Sequence, residues 1–175
     1  SEKVFDRLAN NPSSIGMIAR PVSEEDLKRL KAAGMKQPIA VLVARQALGV
    51  FVNRENPIDS IDYRTLVSLA CSKDSEQKLT WGMAGLSGKY ESEPIVSIGR
   101  DQESGTRKFL REYVFRGFPI RETDKQVDTN FEVVSEIAKD PFAVGISSLR
   151  CGRHDAKLLH LKSNEVLIPS DDHSI

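Results

Sequence analysis

The sequence is poor in cysteine and in long apolar runs, and it has no excess charge of either sign. Its two cysteines, Cys71 and Cys151, are too few for a disulfide framework, and the sequence leaves open whether they pair with each other. Because no apolar run approaches the length that spans a bilayer, we predict no membrane insertion. The 25 basic and 25 acidic side chains balance, so no overall field attracts nucleic acid.

The remaining composition is that of a soluble globular protein, with 39% hydrophobic and 29% charged residues. Runs rich in β-branched residues alternate with segments of helical periodicity, which favours an α/β fold with a largely parallel sheet. Trp81 is predicted to lie in the core rather than in a cleft. The pattern predicts strands at 15–19, 38–44, 48–52, 95–98, 143–146, 158–161 and 165–168, and helices at 2–9, 24–33, 61–70, from 104 and around 133–137.

The segment 95–115 combines a strand, a polar loop and a helix. Ile95, Val96 and Ile98 form an apolar run that is typical of a buried strand, and a polar stretch follows it. Ser104 is the predicted N-cap of the helix, because its hydroxyl can accept a hydrogen bond from an amide in the first turn.

This order of elements suits the binding of an oxyanion. The first amides of a helix lack partners within it, and the helix dipole places partial positive charge there. Gly105 allows close approach to the backbone, and Ser104 and Thr106 carry hydroxyl donors. Arg100 carries a planar fork that matches two oxygens of a tetrahedral anion. From the residues alone, an ordinary capped amphipathic helix remains the alternative to an anion site.

Four segments resemble one known family. Residues 100–109, RDQESGTRKF, resemble the R-x-x-x-S-G-T-R-x-F signature of the phosphate-binding proteins of ABC transporters. Residues 15–27, 47–58 and 134–147 resemble further segments of that family, in the same order along the chain. The resemblance therefore covers nearly the whole sequence.

The resemblance implies site residues when it is carried over position by position. It implies that phosphate is bound by Arg100, Ser104, Gly105 and Thr106, and it implies no cofactor. Arg20 is a further candidate for lining the cleft, and its alternative role is that of a solvated or ion-paired loop residue.

The resemblance also implies the fold and its division. We expect a type II periplasmic-binding-protein-like α/β fold with mixed, mostly parallel sheets. Residues 47–147 are predicted to form a complete second lobe that carries the anion loop, and residues 1–46 and 148–175 a partial first lobe. Compared with the family, the chain is expected to be a truncated or partial member, because it lacks the first strand and helix. Ala19 stands where the family has an acidic residue or serine, so a side-chain acceptor for a phosphate proton would be missing.

The function implied by the resemblance is binding without catalysis. The chain would bind inorganic phosphate or a similar tetrahedral oxyanion and deliver it to the membrane permease of an ABC-type uptake system. The implied location is periplasmic or otherwise extracytoplasmic, although no signal sequence is visible. The alternative is an interaction or sensing protein that keeps the fold with a weakened or lost anion site, for which Ala19 is an argument.

Two other chemistries have weaker signals. Cys151, His154 and His160 are of metal-binding residue types, but a fourth ligand is missing, so we predict no metal site. Ser104 has no histidine nearby in the sequence that would act as its base. An enzyme acting on a phosphate ester is therefore the least favoured interpretation.

Overall fold

The computed structural model describes residues 2–11, 13–18, 20–71, 79–152 and 155–162. Within these ranges helices and strands alternate along most of the chain. The α-helices are α1 (Glu2–Asn10), α2 (Glu24–Ala32), α3 (Tyr63–Ala70), α4 (Gly105–Phe109) and α5 (Asn130–Ile137). The strands are β1 (Leu48–Asn53), β2 (Ser60–Asp62), β3 (Val96–Arg100), β4 (Lys125–Val127), β5 (Ala143–Ser148), β6 (Ala156–Leu158) and β7 (His160–Lys162).

The strands form one mixed sheet of five strands and one small sheet of two. In the larger sheet the order is β4-β3-β5-β1-β6. Strand β3 is parallel to β4 and β5, whereas β1 is antiparallel to β5 and β6. Strand β2 pairs in parallel with β7. Three of these five pairings are parallel, so the predicted α/β class with mixed, mostly parallel sheets is confirmed for the described residues.

Strand β1 lies between β5 and β6 and separates two apolar clusters. Its side chains alternate between the faces, as the pleat requires. Val50 and Val52 join the cluster that includes Trp81 and Phe115, and Phe51 joins the opposite cluster under α5. Trp81 is therefore a core residue, as predicted, and its indole donates to the Phe142 carbonyl at 3.1 Å.

Helix α4 continues without a break into a π-helical turn, Leu110–Val114. The amide of Phe115 donates to the Leu110 carbonyl at 2.7 Å, which is an i to i+5 bond. Phe115 is completely buried, and Arg116 then adopts a φ of 48°. The helix ends there, and Gly117 follows with a φ of 85°.

Two predicted strands in the first part of the chain are wrong. Residues 15–18 and 38–44 have no regular secondary structure, and residue 19 lies outside the described residues. The side chains of Ile15 and Val43 are 96% and 79% exposed. Apolar β-branched composition fits a pleated surface that has a neighbour to pair with, and these segments pair with no strand of the described chain.

The predicted single strand at 158–161 is also wrong, because the chain divides at Leu159 into β6 and β7, which belong to different sheets. The Leu159 amide donates to the Val50 carbonyl, and the His160 amide donates to the Asp59 carbonyl. Residues 165–168 lie outside the described residues. Although β6 and β7 fall within the predicted partial first lobe, they extend the sheets that begin with β1 and β2, which belong to the predicted second lobe. The division into lobes stays a prediction.

Both cysteines are free thiols in the structure. Cys71 is half-buried and Cys151 is buried, and no disulfide joins them. Burial raises the pKa of the Cys71 thiol to about 11, which keeps it neutral and unreactive. No helix in the described part of the chain is long and apolar enough to cross a membrane.

Candidate functional site

The loop between β3 and α4 is folded by its own backbone and by one carboxylate. The Asp101 side chain accepts from the Glu103 amide at 2.9 Å, and the Asp101 carbonyl accepts from the Ser104 amide at 3.2 Å. These two bonds turn the chain within four residues. They place the start of α4 directly beyond the end of β3.

Ser104 is the N-cap of α4, as predicted. Its φ and ψ are −64° and 145°, and its hydroxyl accepts from the Arg107 amide at 3.1 Å. A hydroxyl that accepts a hydrogen bond keeps its own proton to donate. Gly105 and Thr106 are the first two residues of the helix, so their amides have no carbonyl partner within it. The arrangement offers amide and hydroxyl donors at one turn.

Arg100 is the last residue of β3 and is held only loosely. Its Nη2 lies 3.7 Å from the Asp101 carboxylate, which is too long for a direct hydrogen bond. Its Nε is buried and has no hydrogen-bond partner among the described residues. Because buried polar groups are normally satisfied, this donor is available to a ligand.

A cavity of about 560 Å³ lies beside this loop. Of the four predicted anion-binding residues, Arg100 and Thr106 line it, whereas Ser104 is buried as the helix cap. The structure therefore brings all four residues together at one turn, with two of them facing the cavity. Most of the other lining residues come from β1, β3 and β5, from α3 and α4, and from the segment 120–124.

Two buried cations follow the loop and were not assigned to the site from the sequence. Arg107 is 7% exposed, and its guanidinium donates to the Arg121 carbonyl. Burial lowers the pKa of Arg107 from its ordinary value. Lys108 is also buried, with its Nζ 3.4 Å from the Glu103 carboxylate. A signal was present in the sequence, because arginine at this position is part of the signature motif.

Arg20 forms an ion pair, which is the alternative that the sequence left open. Its two terminal nitrogens lie 2.5 Å and 2.9 Å from the Asp26 carboxylate, and its guanidinium lies over the Phe5 ring at 5.3 Å. The Arg20 side chain, through hydrogen bonding, holds the pKa of Asp26 well below its usual range. Asp26 also completes the capping box of α2 with Ser23. Arg20 is not among the residues that line the cavity, and its role in a cleft stays a prediction.

The remaining candidates carry no site within the described residues. No group of three histidine, cysteine, aspartate or glutamate side chains there is placed to hold a metal ion. Cys151 is buried and His160 is exposed on β7, while His154 lies outside the described residues. Ala19, whose replacement of an acidic residue was an argument for weak binding, also lies outside them.

Comparison with known proteins gives consistent results. The model of a family described as the PBP superfamily domain matches residues 1–167. The phosphate-binding protein PstS of Pseudomonas aeruginosa is 24% identical over 163 residues, which cover 90% of this chain and 50% of that protein. Protein SphX of Synechococcus elongatus is 25% identical over 142 residues, or 81% of this chain and 41% of that protein. The chain spans about half the length of these curated relatives.

Solved structures show the same fold. An ABC-type phosphate transport receptor from Vibrio cholerae superposes with a TM-score of 0.68 at 18% identity, over 92% of this chain and 62% of that one. A putative phosphate ABC transporter substrate-binding protein from Clostridium perfringens, solved with bound phosphate, gives a TM-score of 0.70 at 21% identity. This match covers 92% of this chain and 60% of that one. These likenesses establish the type II periplasmic-binding-protein-like architecture.

Proposed function

Because the chain belongs to the family described as the PBP superfamily domain, we propose that it binds phosphate or a similar tetrahedral oxyanion without transforming it. The site is the turn between β3 and α4. The single observation that carries this proposal is the buried Arg100 Nε, which has no partner in the described chain and lies at the turn where α4 begins. A tetrahedral anion would give this donor an acceptor.

Each residue of the turn has a separate role in this proposal. Arg100 supplies a charged fork to two oxygens of the anion. Gly105 and Thr106 supply the first amides of α4, and the Thr106 hydroxyl supplies a further donor. Ser104 fixes the direction of these amides through its cap bond and donates its own proton. These groups bind the anion but offer no base or nucleophile that would act on it.

The local field favours an anion although the whole chain is neutral. Arg107 and Lys108 are buried directly behind the turn, where they are screened less than surface charges are. The Arg107 charge adds to the partial positive charge at the start of the helix, whereas the Lys108 charge is partly balanced by Glu103 at 3.4 Å. Binding at this turn therefore depends on local cations rather than on net charge.

In the cell, we propose that the chain serves as the solute-binding component of an ABC-type phosphate uptake system. The support is that the Pseudomonas and Vibrio proteins are named as a phosphate-binding protein and a phosphate transport receptor. Such a component would deliver its anion to a membrane permease and would work outside the cytoplasm.

Isothermal titration with phosphate and with sulfate tests the site. Arg100→Ala should weaken phosphate binding by about 10-fold to 100-fold, since a hydrogen bond to a charged group contributes roughly 1.5–3 kcal/mol. Arg100→Lys should give an intermediate loss of affinity, because lysine keeps the charge but lacks the planar guanidinium that binds two oxygens. Arg64→Ala, which removes an exposed arginine from α3, is the matched control and should change the affinity by less than about twofold. Unchanged affinity in Arg100→Ala would remove Arg100 from the site.

The second candidate function is an interaction or sensing protein with a weakened anion site. The observation that favours it is the exposed apolar surface of residues 39–43, since large exposed apolar patches mark interaction sites. The same titration separates the candidates. The absence of heat with millimolar phosphate and sulfate would favour the second.

A further inference from the structure

The cavity beside the anion turn is far larger than an inorganic anion needs. Its volume of about 560 Å³ falls within the usual range of small-molecule sites, roughly 300–1,000 Å³. A water molecule takes up about 30 Å³ in the liquid, so a five-atom phosphate would fill only a small part of it. Most of the cavity must therefore be occupied by something else or remain empty.

The walls of the cavity are mainly apolar. Leu66, Leu110 and Phe115 are buried and line it, together with half-buried Val144 and Ile146 from β5. An apolar cavity is a poor site for water, because water needs two to four polar partners there. Its walls favour an apolar occupant.

The cavity lining also includes two unsatisfied donors. The Arg100 Nε and the Thr123 Oγ1 are both buried without a hydrogen-bond partner among the described residues, and both residues line the cavity. Thr123 lies in the loop that leads into β4, and its methyl group packs so closely on Gly99 that a Cβ there would lie 2.7 Å from it. Thr123 is therefore held against the residue that directly precedes Arg100.

Two carboxylates that line the cavity, Glu122 and Asp124, limit the charge of a ligand. Asp124 accepts from the Ser97 amide at 2.7 Å and from its hydroxyl at 2.6 Å. Glu122 accepts from Gln126 at 3.2 Å and from Gln102. Because both carboxylates are negatively charged, they would repel an anionic group on the substituent, whereas the head group is compensated by Arg100. A ligand with one anionic head and a neutral body fits this arrangement.

We propose that this chain binds phosphate monoesters with an apolar alkyl or aryl substituent. The phosphate lies at Arg100 and Thr106, the Thr123 hydroxyl donates to an ester or phosphate oxygen, and the substituent fills the cavity. This inference rests on the proposed function, because both use the same head-group site. It adds a ligand class and a further binding residue, Thr123.

Isothermal titration with inorganic phosphate and with ethyl, butyl and hexyl phosphate tests the inference on the unaltered chain. The affinity should rise by about threefold to fourfold for each added CH₂ group, as expected for burial of a methylene. Thr123→Val keeps the shape of the side chain and should weaken ester binding by about fivefold, the loss of one hydrogen bond.

A cavity-filling variant with a matched control locates the substituent. Ala70 lines the cavity as the last residue of α3, and Ala32 is the exposed last residue of α2. Ala70→Phe should abolish the rise in affinity with the length of the alkyl substituent, while the affinity for inorganic phosphate changes less than twofold. Ala32→Phe should change neither.

Each outcome decides between the two proposals. If inorganic phosphate binds and longer esters bind no better, the inference is overturned and the proposed function stands. If esters bind with rising affinity and inorganic phosphate does not bind, the inference stands and inorganic phosphate is excluded as the ligand. If neither binds, both are overturned. The series on the unaltered chain gives this decision even if Ala70→Phe fails to fold.

Discussion

Residues 38–44 and 48–52 are neighbouring stretches of similar composition, but they differ in secondary structure. The first reads PIAVLVA and is irregular, while the second reads LGVFV and forms an interior strand of the sheet as part of β1. Val43 is 79% exposed, whereas Val52 is completely buried. The difference lies in the partners, because β1 has β5 on one side and β6 on the other. A strand is therefore a property of the pairing rather than of the segment.

The two regions around these stretches are stabilised in different ways. We call residues 2–47 the N-terminal region and residues 48–162 the sheet region. Besides the buried side chains of Phe5 and Leu30, the N-terminal region has charge pairs such as Arg20 with Asp26 and Arg29 with Asp6, the latter at 2.5 Å. The sheet region relies on apolar burial on both faces of β1. The following predictions test that contrast.

The largest expected effect comes from placing the same charge in both stretches. Val52→Lys should destabilise the fold by on the order of 4–5 kcal/mol or more, because an unpaired ammonium would be buried on an interior strand. Since whole domains are stable by roughly 5–15 kcal/mol, most of that protein should be unfolded or close to it. Val43→Lys should change the stability by less than about 0.5 kcal/mol. Urea denaturation followed by circular dichroism measures both. An equal loss in Val43→Lys would show that residues 38–44 are buried in solution.

A smaller effect is expected from the ion pair of the N-terminal region. Asp26→Asn should lower the opening free energy of the α2 amides by about 1–2 kcal/mol, because Arg20 loses its charged partner and the capping box is weakened. Hydrogen exchange at neutral pH measures it. Glu24→Gln removes a charge from the same helical turn at an exposed position and should cost less than about 0.5 kcal/mol. Equal losses would mean that only the helix dipole matters.

The pH dependence of the same pair has a definite sign. The hydrogen bond from Arg20 lowers the pKa of Asp26. The contribution of the Asp26 carboxylate to stability is therefore complete at pH values above the ordinary carboxylate pKa range. The contribution is lost as the pH falls below about 4, because the unfolded state then takes up a proton first. The difference between the unaltered chain and Asp26→Asn should therefore narrow in acid. A constant difference from pH 7 to pH 2 would contradict the assignment.

The smallest effect is expected from a charge cluster of the sheet region. Hydrogen bonds from Lys125 and then Lys139 lower the pKa of Glu136 from 4.5 to about 2. The contribution of the Glu136 carboxylate to stability is present above pH 4.5 and is lost as the pH falls toward 2. Glu136→Gln should lower the free energy of unfolding by less than Asp26→Asn lowers the opening free energy of the α2 amides, because exposed pairs contribute little. Thermal denaturation measures the loss as a small decrease in Tm. The effect should vanish at high salt, and persistence there would point to a buried interaction.

Local signals predicted the elements whose partners are close in the chain. The N-cap Ser104 and the strand, loop and helix of 95–115 are read from neighbouring residues, and the structure has them. Strand β4 was not predicted, because its three residues Lys125–Val127 are mostly polar and are held by pairing with β3. The strands expected at 15–19 and 38–44 fail for the opposite reason, since suitable composition lacks a described neighbour.

The candidate site follows the same rule. Arg100, Ser104, Gly105 and Thr106 were predicted because they lie within seven residues of one another and match a signature. Thr123 was not predicted, because only the pairing of β4 with β3 brings it to the cavity. The contact of Arg20 with Asp26 spans six residues, and the sequence left it as one of two alternatives.

The π-helical turn after α4 makes this segment more tolerant of a deletion than of an insertion. A π turn holds one residue more than an α turn, so removing one residue from Leu110–Val114 would let the Leu110 carbonyl accept from the same Phe115 amide in an ordinary i to i+4 bond. Phe115 would then keep its place in the core. An added residue has no such adjustment, because each residue advances an α-helix by about 100° and would turn Phe115 away from the core. Descendants of this sequence should therefore lose a residue from this turn more readily than they gain one.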